Sequence, residues 1–218
     1  MSSRVSANVP RPPEQPIVFD TVVVNYFLAA GEIRLLADLS GGSLLMPRVV
    51  FDPDESDDGR EEAMSELRRG LHLHRRRCED PGAPPEVRAR SKQALPGFEQ
   101  LPSLVESGVL RVADLRDDEL RLYAELRESA HMSRFGLLVG LGPGEAAMLT
   151  MCVNRQWRPA TDDNDAIRVA VQLLPGVRPL RIRALLKLAV ERAIVDLPHA
   201  RAIHKTMREL GFWDTGRL

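Results

Sequence analysis

Residues 141–170, LGPGEAAMLTMCVNRQWRPATDDNDAIRVA, decide how this chain is read. They set Glu145 at the start of an apolar helix, then Asp162, Asp163 and Asp165 behind a threonine at the end of a short strand. Gly142-Pro143-Gly144 opens the helix. Proline is tolerated in a first turn, and an acid there complements the free amides and the positive end of the dipole. Residues 146–153 are apolar on nearly every side, which predicts a buried helix with Glu145 at its rim. Residues 158–161 read as extended, and 166–173 as a second apolar helix. A strand ending in carboxylates beside a helix beginning with one is how open α/β sheets bring ligand groups to their carboxyl edge. Two helices whose acids only cap their own amides would give the same pattern.

Upstream, the pattern recurs. Residues 1–16 hold four prolines and no apolar periodicity, which predicts a disordered tail ahead of a single domain over 17–218. Ile17-Val18-Phe19 reads as a short strand ending in Asp20-Thr21, followed by a helix from about Val23 and another over 32–39 that stops at Gly41-Gly42. Residues 43–46 form a second strand candidate, and Pro47-Arg48-Val49-Val50-Phe51 runs into Asp52. Strand, helix, helix, strand and then an acid predicts an α/β fold with a parallel central sheet and crossover helices. Residues 52–62 are strongly acidic, and 65–77 read as a basic helix with Arg68, His72, Arg75 and Arg76 on one side. Helices are predicted near 85–94 and 97–107, a strand over 109–112 and a helix over 117–130. Beyond the central stretch come a last strand candidate at 177–182, a helix over 183–195, and a terminal helix begun by Asp196-Leu197-Pro198 and ended by Gly211.

Composition narrows the function classes. The chain has 218 residues and a formal net charge of −1, so any nucleic-acid surface has to be a local patch. Two cysteines, Cys78 and Cys152, do not make a disulfide framework. No apolar run is long enough to span a bilayer and the N-terminus is not signal-like, which leads us to expect a soluble cytoplasmic protein. The glycines match neither a P-loop nor a dinucleotide fingerprint.

Three acidic positions stand at strand ends or helix starts: Asp20, Glu145 and the Asp162/Asp163 pair, with a fourth among Asp52, Asp54 and Glu55. Parallel strands bring such positions to one sheet edge. Two carboxylates about 5 Å apart repel by roughly 3 kcal/mol at an effective dielectric near 20, so converging acids require protons or a cation. Hard oxygen ligands select Mg²⁺ or Mn²⁺, and the chemistry served by such a site is metal-assisted phosphodiester hydrolysis.

These residues resemble the PIN-domain family of nucleases. The resemblance rests on IVFDTVVVNYF, on GEIRLLADLSGGSLLMPRVVFD, and on GPGEAAMLTMC followed by PATDDNDAIRVA; it covers about two-thirds of the chain and leaves about 55–134 as a helical elaboration. It implies a PIN-like fold and a metal-dependent endoribonuclease. By position it carries catalytic roles onto Asp20, Glu145, Asp162 and Asp163, and Mg²⁺ or Mn²⁺ ligation onto Asp20, Asp52 or a neighbour, Glu145 and Asp163, with Asp165 supporting. Thr21 and Thr161 would orient the carboxylates. The chain departs from the family pattern at Val22, where Asn is frequent, and at Pro53, where the family continues a helix. Resemblance to bacterial members further implies a toxin of a toxin–antitoxin pair, a homodimer and an antitoxin partner. The competing expectation is a PIN-like module that binds RNA or protein without cutting.

Arg68, Arg75 and Arg76 on the basic helix are the candidate RNA contacts, although a solvated face balanced by the acids upstream fits the same residues. His72, His74 and Cys78 have loose metal-ligand spacing, but no second cluster completes a zinc site.

Overall fold

The computed structural model describes residues 15–51, 66–214, 216 and 218. Its elements run β1 (Ile17–Phe19), α1 (Thr21–Ala29), α2 (Ile33–Leu39), β2 (Leu44–Pro47), α3 (Arg48–Phe51), α4 (Glu66–Glu79), α5 (Pro85–Phe98), α6 (Leu101–Glu106) and β3 (Leu110–Ala113). They continue through α7 (Leu120–Arg127), α8 (Ser129–Met132), α9 (Pro143–Arg155), β4 (Arg158–Ala160), α10 (Asn164–Leu173), α11 (Ile182–Glu191) and α12 (Leu197–Glu209). The four strands form one all-parallel sheet in the order β3-β2-β1-β4, flanked by helices: the expected α/β class.

The central strand shows why. Ile17, Val18 and Phe19 are all buried, as a parallel strand covered on both faces must be. Side chains alternate along a strand, and here Ile17 and Phe19 join a core with α1, α2, α5, α11 and α12 while Val18 joins another with α7, α9 and α10. Fully burying a side chain such as Phe19 contributes about 1.5–3 kcal/mol. The crossovers from β1 to β2 and β3 go to one side, and β4 lies on the other, so the strand order reverses between β1 and β4. The crevice outside the carboxyl ends at such a switch point is where open α/β sheets bind ligands.

The α4–α5 hairpin belongs to the helical insertion and docks on α1 at Gly97, where a side-chain carbon would collide with the Leu28 carbonyl oxygen. Only glycine allows that approach. The sequence suggested a break at Pro96, but α5 continues through it to Phe98, because a proline in the last turn forfeits only one bond near an end that is fraying anyway.

Residues 48–51, the apolar run that leads into Asp52, are a helical turn that follows β2 at Pro47. One local expectation changes. Residues 177–182 do not make a strand: only Leu180 bridges to Ala160, and α11 begins at Ile182. Pro179 has no amide to donate, which cuts the ladder short. Among the described residues no helix is long and apolar enough to cross a membrane.

Candidate active site at the carboxyl edge

The site begins at the last residue of the central strand. Asp20 follows β1, and its amide donates to the Ala160 carbonyl across the switch point at 2.9 Å. It stands at the N-cap position of α1 without a side-chain cap, so its carboxylate turns to the sheet edge instead of serving the helix. Oδ2 accepts a 2.7 Å hydrogen bond from the Thr161 hydroxyl, while Oδ1 is buried without a partner. Only 1% of Asp20 is exposed. Burial, then the negative charges of Glu145 and Glu66, push its carboxyl up to about 8, against the easing of the Thr161 bond and the Thr21 amide.

Glu145 comes from the first turn of α9, as the sequence predicts, with Pro143 at the helix start. Its Oε2 is also buried and without a hydrogen bond. Burial raises its pKa first, and the neighbouring carboxylates of Glu66 and Asp163 add to that, against its own amide and Arg127. Gly144 lets the elements close up: a carbon there would meet Val50 at 2.9 Å, Glu66 Oε2 at 3.4 Å and Thr21 Oγ1 at 3.5 Å.

Glu66 is the acid that sequence reasoning missed. It opens α4, and the Thr21 hydroxyl donates to its Oε2. The candidates for the fourth acid, Asp52, Asp54 and Glu55, all lie outside the described residues. Glu66 is hidden in the sequence because it closes a run of acids that reads as a counterweight to the arginines beyond it.

The three acids of the β4–α10 junction divide by role. Asp163 lies near enough to raise the Glu145 pKa, yet its Oδ1 accepts from the Ala166 amide at 2.7 Å and caps α10. Thr161 ties this junction to β1, accepting from the Asp163 amide at 3.0 Å while donating to Asp20. Asp162 turns to α11: its Oδ2 accepts from the Ile182 amide at 2.7 Å, its Oδ1 is buried without a partner, and burial raises its pKa. Asp165 is exposed on the first turn of α10. Thr21 holds Glu66, not Asp20, through its hydroxyl.

A groove of about 670 Å³ leads away from Glu66, Thr21 and Glu145 between α1 and the α4–α5 hairpin. Of the arginines singled out on α4, Arg75 pairs with Glu99 at 3.4 Å, Arg76 lines shallow surface with His72 and Glu79, and Arg68 also has a partner. His74 is turned inward against Phe98, their rings 4.9 Å apart, with Nδ1 3.2 Å from the Ser91 hydroxyl.

The donor set is all oxygen, and three buried carboxylate oxygens, Asp20 Oδ1, Glu145 Oε2 and, at the neighbouring junction, Asp162 Oδ1, have no hydrogen bond. That chemistry fits a hard divalent cation. Among the described residues, however, no three His, Cys, Asp or Glu side chains are grouped closely enough to hold a metal ion. Burial and the neighbouring acids hold the Asp20 carboxyl well above the usual carboxylate range, at about 8. Comparison of the chain with family models, with curated proteins and with solved structures gives no match.

Proposed function

We propose that the protein is a PIN-like, metal-dependent endoribonuclease acting in the cytoplasm, with Asp20, Glu145 and Glu66 as the carboxylates that would hold Mg²⁺ or Mn²⁺ and Asp163 beside them. The observation that carries this reading is the orphaned Oδ1 of Asp20, a buried carboxylate oxygen at the switch point with two further acids raising its pKa. Burying and crowding acids without a counter-charge costs stability, and such groups cluster where function needs them. When bound, the cation supplies an activated water and stabilises the leaving oxygen of a phosphodiester. The chain's own residues do the rest. Thr161 fixes the orientation of Asp20, Thr21 fixes that of Glu66, and the Asp163 cap anchors the start of α10 against the site. A toxin-type role, with a homodimer and an antitoxin partner, extends the same proposal.

The second reading is a PIN-like module that binds without cutting. It is favoured by one observation, the lack of any described group of three ligands ready to hold a metal. Titration calorimetry with Mn²⁺, run beside cleavage of a labelled single-stranded RNA in Mn²⁺ and in chelator, separates the two. Mn²⁺ binding with Mn²⁺-dependent cleavage supports the nuclease. Neither Mn²⁺ binding nor cleavage, with RNA still bound, would leave the module.

A further inference from the structure

The groove that leaves the acid cluster changes sign along its length. Glu66, Thr21 and Glu145 line one end, and Arg77 from α4 and Arg90 from α5 line the same groove farther along the hairpin. Both arginines are exposed. From Glu66 to Arg77 is eleven residues of one helix, about 16 Å at 1.5 Å per residue. Between the two ends the walls are apolar, with Val22, Leu73, Phe98 and Leu210. Asn25, one turn along α1 from Thr21, lines this stretch with its Oδ1 buried and without a hydrogen-bond partner. The hairpin that forms the outer wall lies outside the stretches that carry the family resemblance.

We infer that this groove is the track for one single nucleic-acid strand, with backbone phosphates at Arg77 and Arg90, bases against the apolar walls and Asn25, and the strand running on to the carboxylates. The inference rests on the proposed nuclease reading for what happens at the acid end, but the track is a binding surface in its own right. Three features select the ligand. Arginine forks suit phosphate oxygens geometrically. Apolar walls between charged ends suit the flat faces of bases, which pack on such surfaces with little regard to sequence. The volume, about 670 Å³, is that of a small-ligand cleft and takes a few nucleotides, not a duplex. At the stacked spacing of 3.4 Å per nucleotide, the 16 Å run admits no more than about five.

The test is fluorescence anisotropy of labelled RNA and DNA decamers and of a blunt RNA duplex, with the whole chain in chelator so that nothing is cut, across a series of salt concentrations. The parent should bind the single strands more tightly than the duplex. Arg77→Glu/Arg90→Glu should weaken single-strand binding by at least about tenfold and reduce the salt slope by about 1.4, at 0.7 per phosphate contact on a single strand. Arg77→Lys/Arg90→Lys should recover much of the affinity, since charge remains and only the fork is lost. The charge-matched control Arg34→Glu/Arg201→Glu, on exposed arginines outside the groove, should change little. Preference for RNA over DNA would report a 2′-hydroxyl contact and equal binding a track reading phosphate and base alone; both uphold it. Unchanged affinity and slope in the Arg77/Arg90 variant overturn the track, as does a parent that binds no single strand. The two readings fail separately: a parent that binds through Arg77 and Arg90 but never cuts in Mn²⁺ sinks the nuclease and keeps the track. A parent that cuts, with the double charge reversal cutting equally well, does the opposite.

Discussion

Two junctions in this molecule are built alike, strand then acid then helix, and they treat the acid in opposite ways. After β4, Asp163 caps α10 through the Ala166 amide, while one oxygen of Asp162 accepts the Ile182 amide and its other, Oδ1, is buried without a partner. After β1, Asp20 occupies the cap position of α1 and does not cap it; one oxygen takes the Thr161 hydroxyl and the other is buried alone. A capping carboxylate adds about 1 kcal/mol to a fold. An orphaned one, crowded by Glu145 and Glu66, subtracts from it. The difference separates Asp163, which serves its own helix, from Asp20, which stands in the same place and does not.

The largest expected effect follows directly. Asp20→Asn keeps the shape and the Thr161 bond but removes the charge, and should lower Mn²⁺-dependent cleavage by more than about 100-fold, beyond the range typical of residues that merely support a metal ligand. The same substitution at the other junction, Asp163→Asn, preserves the cap, because Asn caps as well as Asp. It should cost less activity than Asp20→Asn and almost no stability. Equal losses at both positions, measured as initial rates on single-stranded RNA, would erase the distinction between the junctions.

The pH dependence of stability distinguishes them next. The folded pKa of Asp20 is raised from an ordinary 3.8 to about 8, so between those values the native state binds a proton that the unfolded chain has released. Stability from this group is therefore fully present below about 4 and is lost as pH rises towards 8. The melting temperature of the metal-free protein should fall over that window, and Asp20→Asn should flatten the fall. Because the cation must displace the proton, Mn²⁺ affinity should rise over the same window. A melting temperature that rises from pH 5 to pH 8 in the parent, with no change in the variant, would contradict the buried-acid picture.

Glu66→Gln comes third. It removes one of the charges that raise the Asp20 pKa while an amide oxygen can still accept from Thr21. Cleavage should drop by at least about 10-fold, since the amide oxygen can still ligate but brings no charge, and the apo protein should gain stability near pH 8. Thr21→Ala should reproduce part of the rate loss by releasing Glu66, without that gain.

How much of this the sequence carried depends on the range of each interaction. The strands β1 and β4 and the helices α1, α9 and α10 were legible because their signals are local: apolar runs, a Pro-Gly helix start, acids at cap positions. Asp20, Glu145 and Thr161 came with them. Glu66 was not legible as a site residue, since its partner Thr21 is 45 residues away and nothing near Glu66 marks the pairing. The separation of Asp162 from Asp163 was equally hidden. Adjacent residues leaving a strand point to different sides, and which side faces Glu145 depends on α11 starting at Ile182, where a strand was expected. The sequence also could not show that the basic helix turns Arg77, not Arg75 or Arg76, into the groove.

Asp162 then tests the scaffold side of the comparison. Asp162→Ala strips the partner from a buried amide and should destabilise by about 1–3 kcal/mol in denaturant melts, whereas Asp162→Asn retains an accepting oxygen and should cost less. Neither should lower cleavage per folded molecule by more than a few fold. Loss of cleavage in a fully folded Asp162→Asn protein would return this residue to the catalytic group in which its position in the sequence first put it.

The smallest effect belongs to Asp165. It lies exposed in the first turn of α10, two residues beyond the Asp163 cap, and its charge sits at the helix's positive end. An acid in that place contributes about 0.3–1 kcal/mol at low ionic strength and less as salt screens it. Asp165→Asn should therefore shift the denaturation midpoint slightly at low salt and not at all in about 1 M salt, where the screening length is near 3 Å. Cleavage and Mn²⁺ affinity should match the parent, since an exposed side chain serving the helix dipole has no part in the buried cluster. The informative failure is a Mn²⁺ affinity that falls in Asp165→Asn as it does in Asp20→Asn. Asp165 would then be swinging in to ligate the cation, and the β4–α10 junction, which uses its other two acids for backbone amides, would supply a ligand as the β1–α1 junction does.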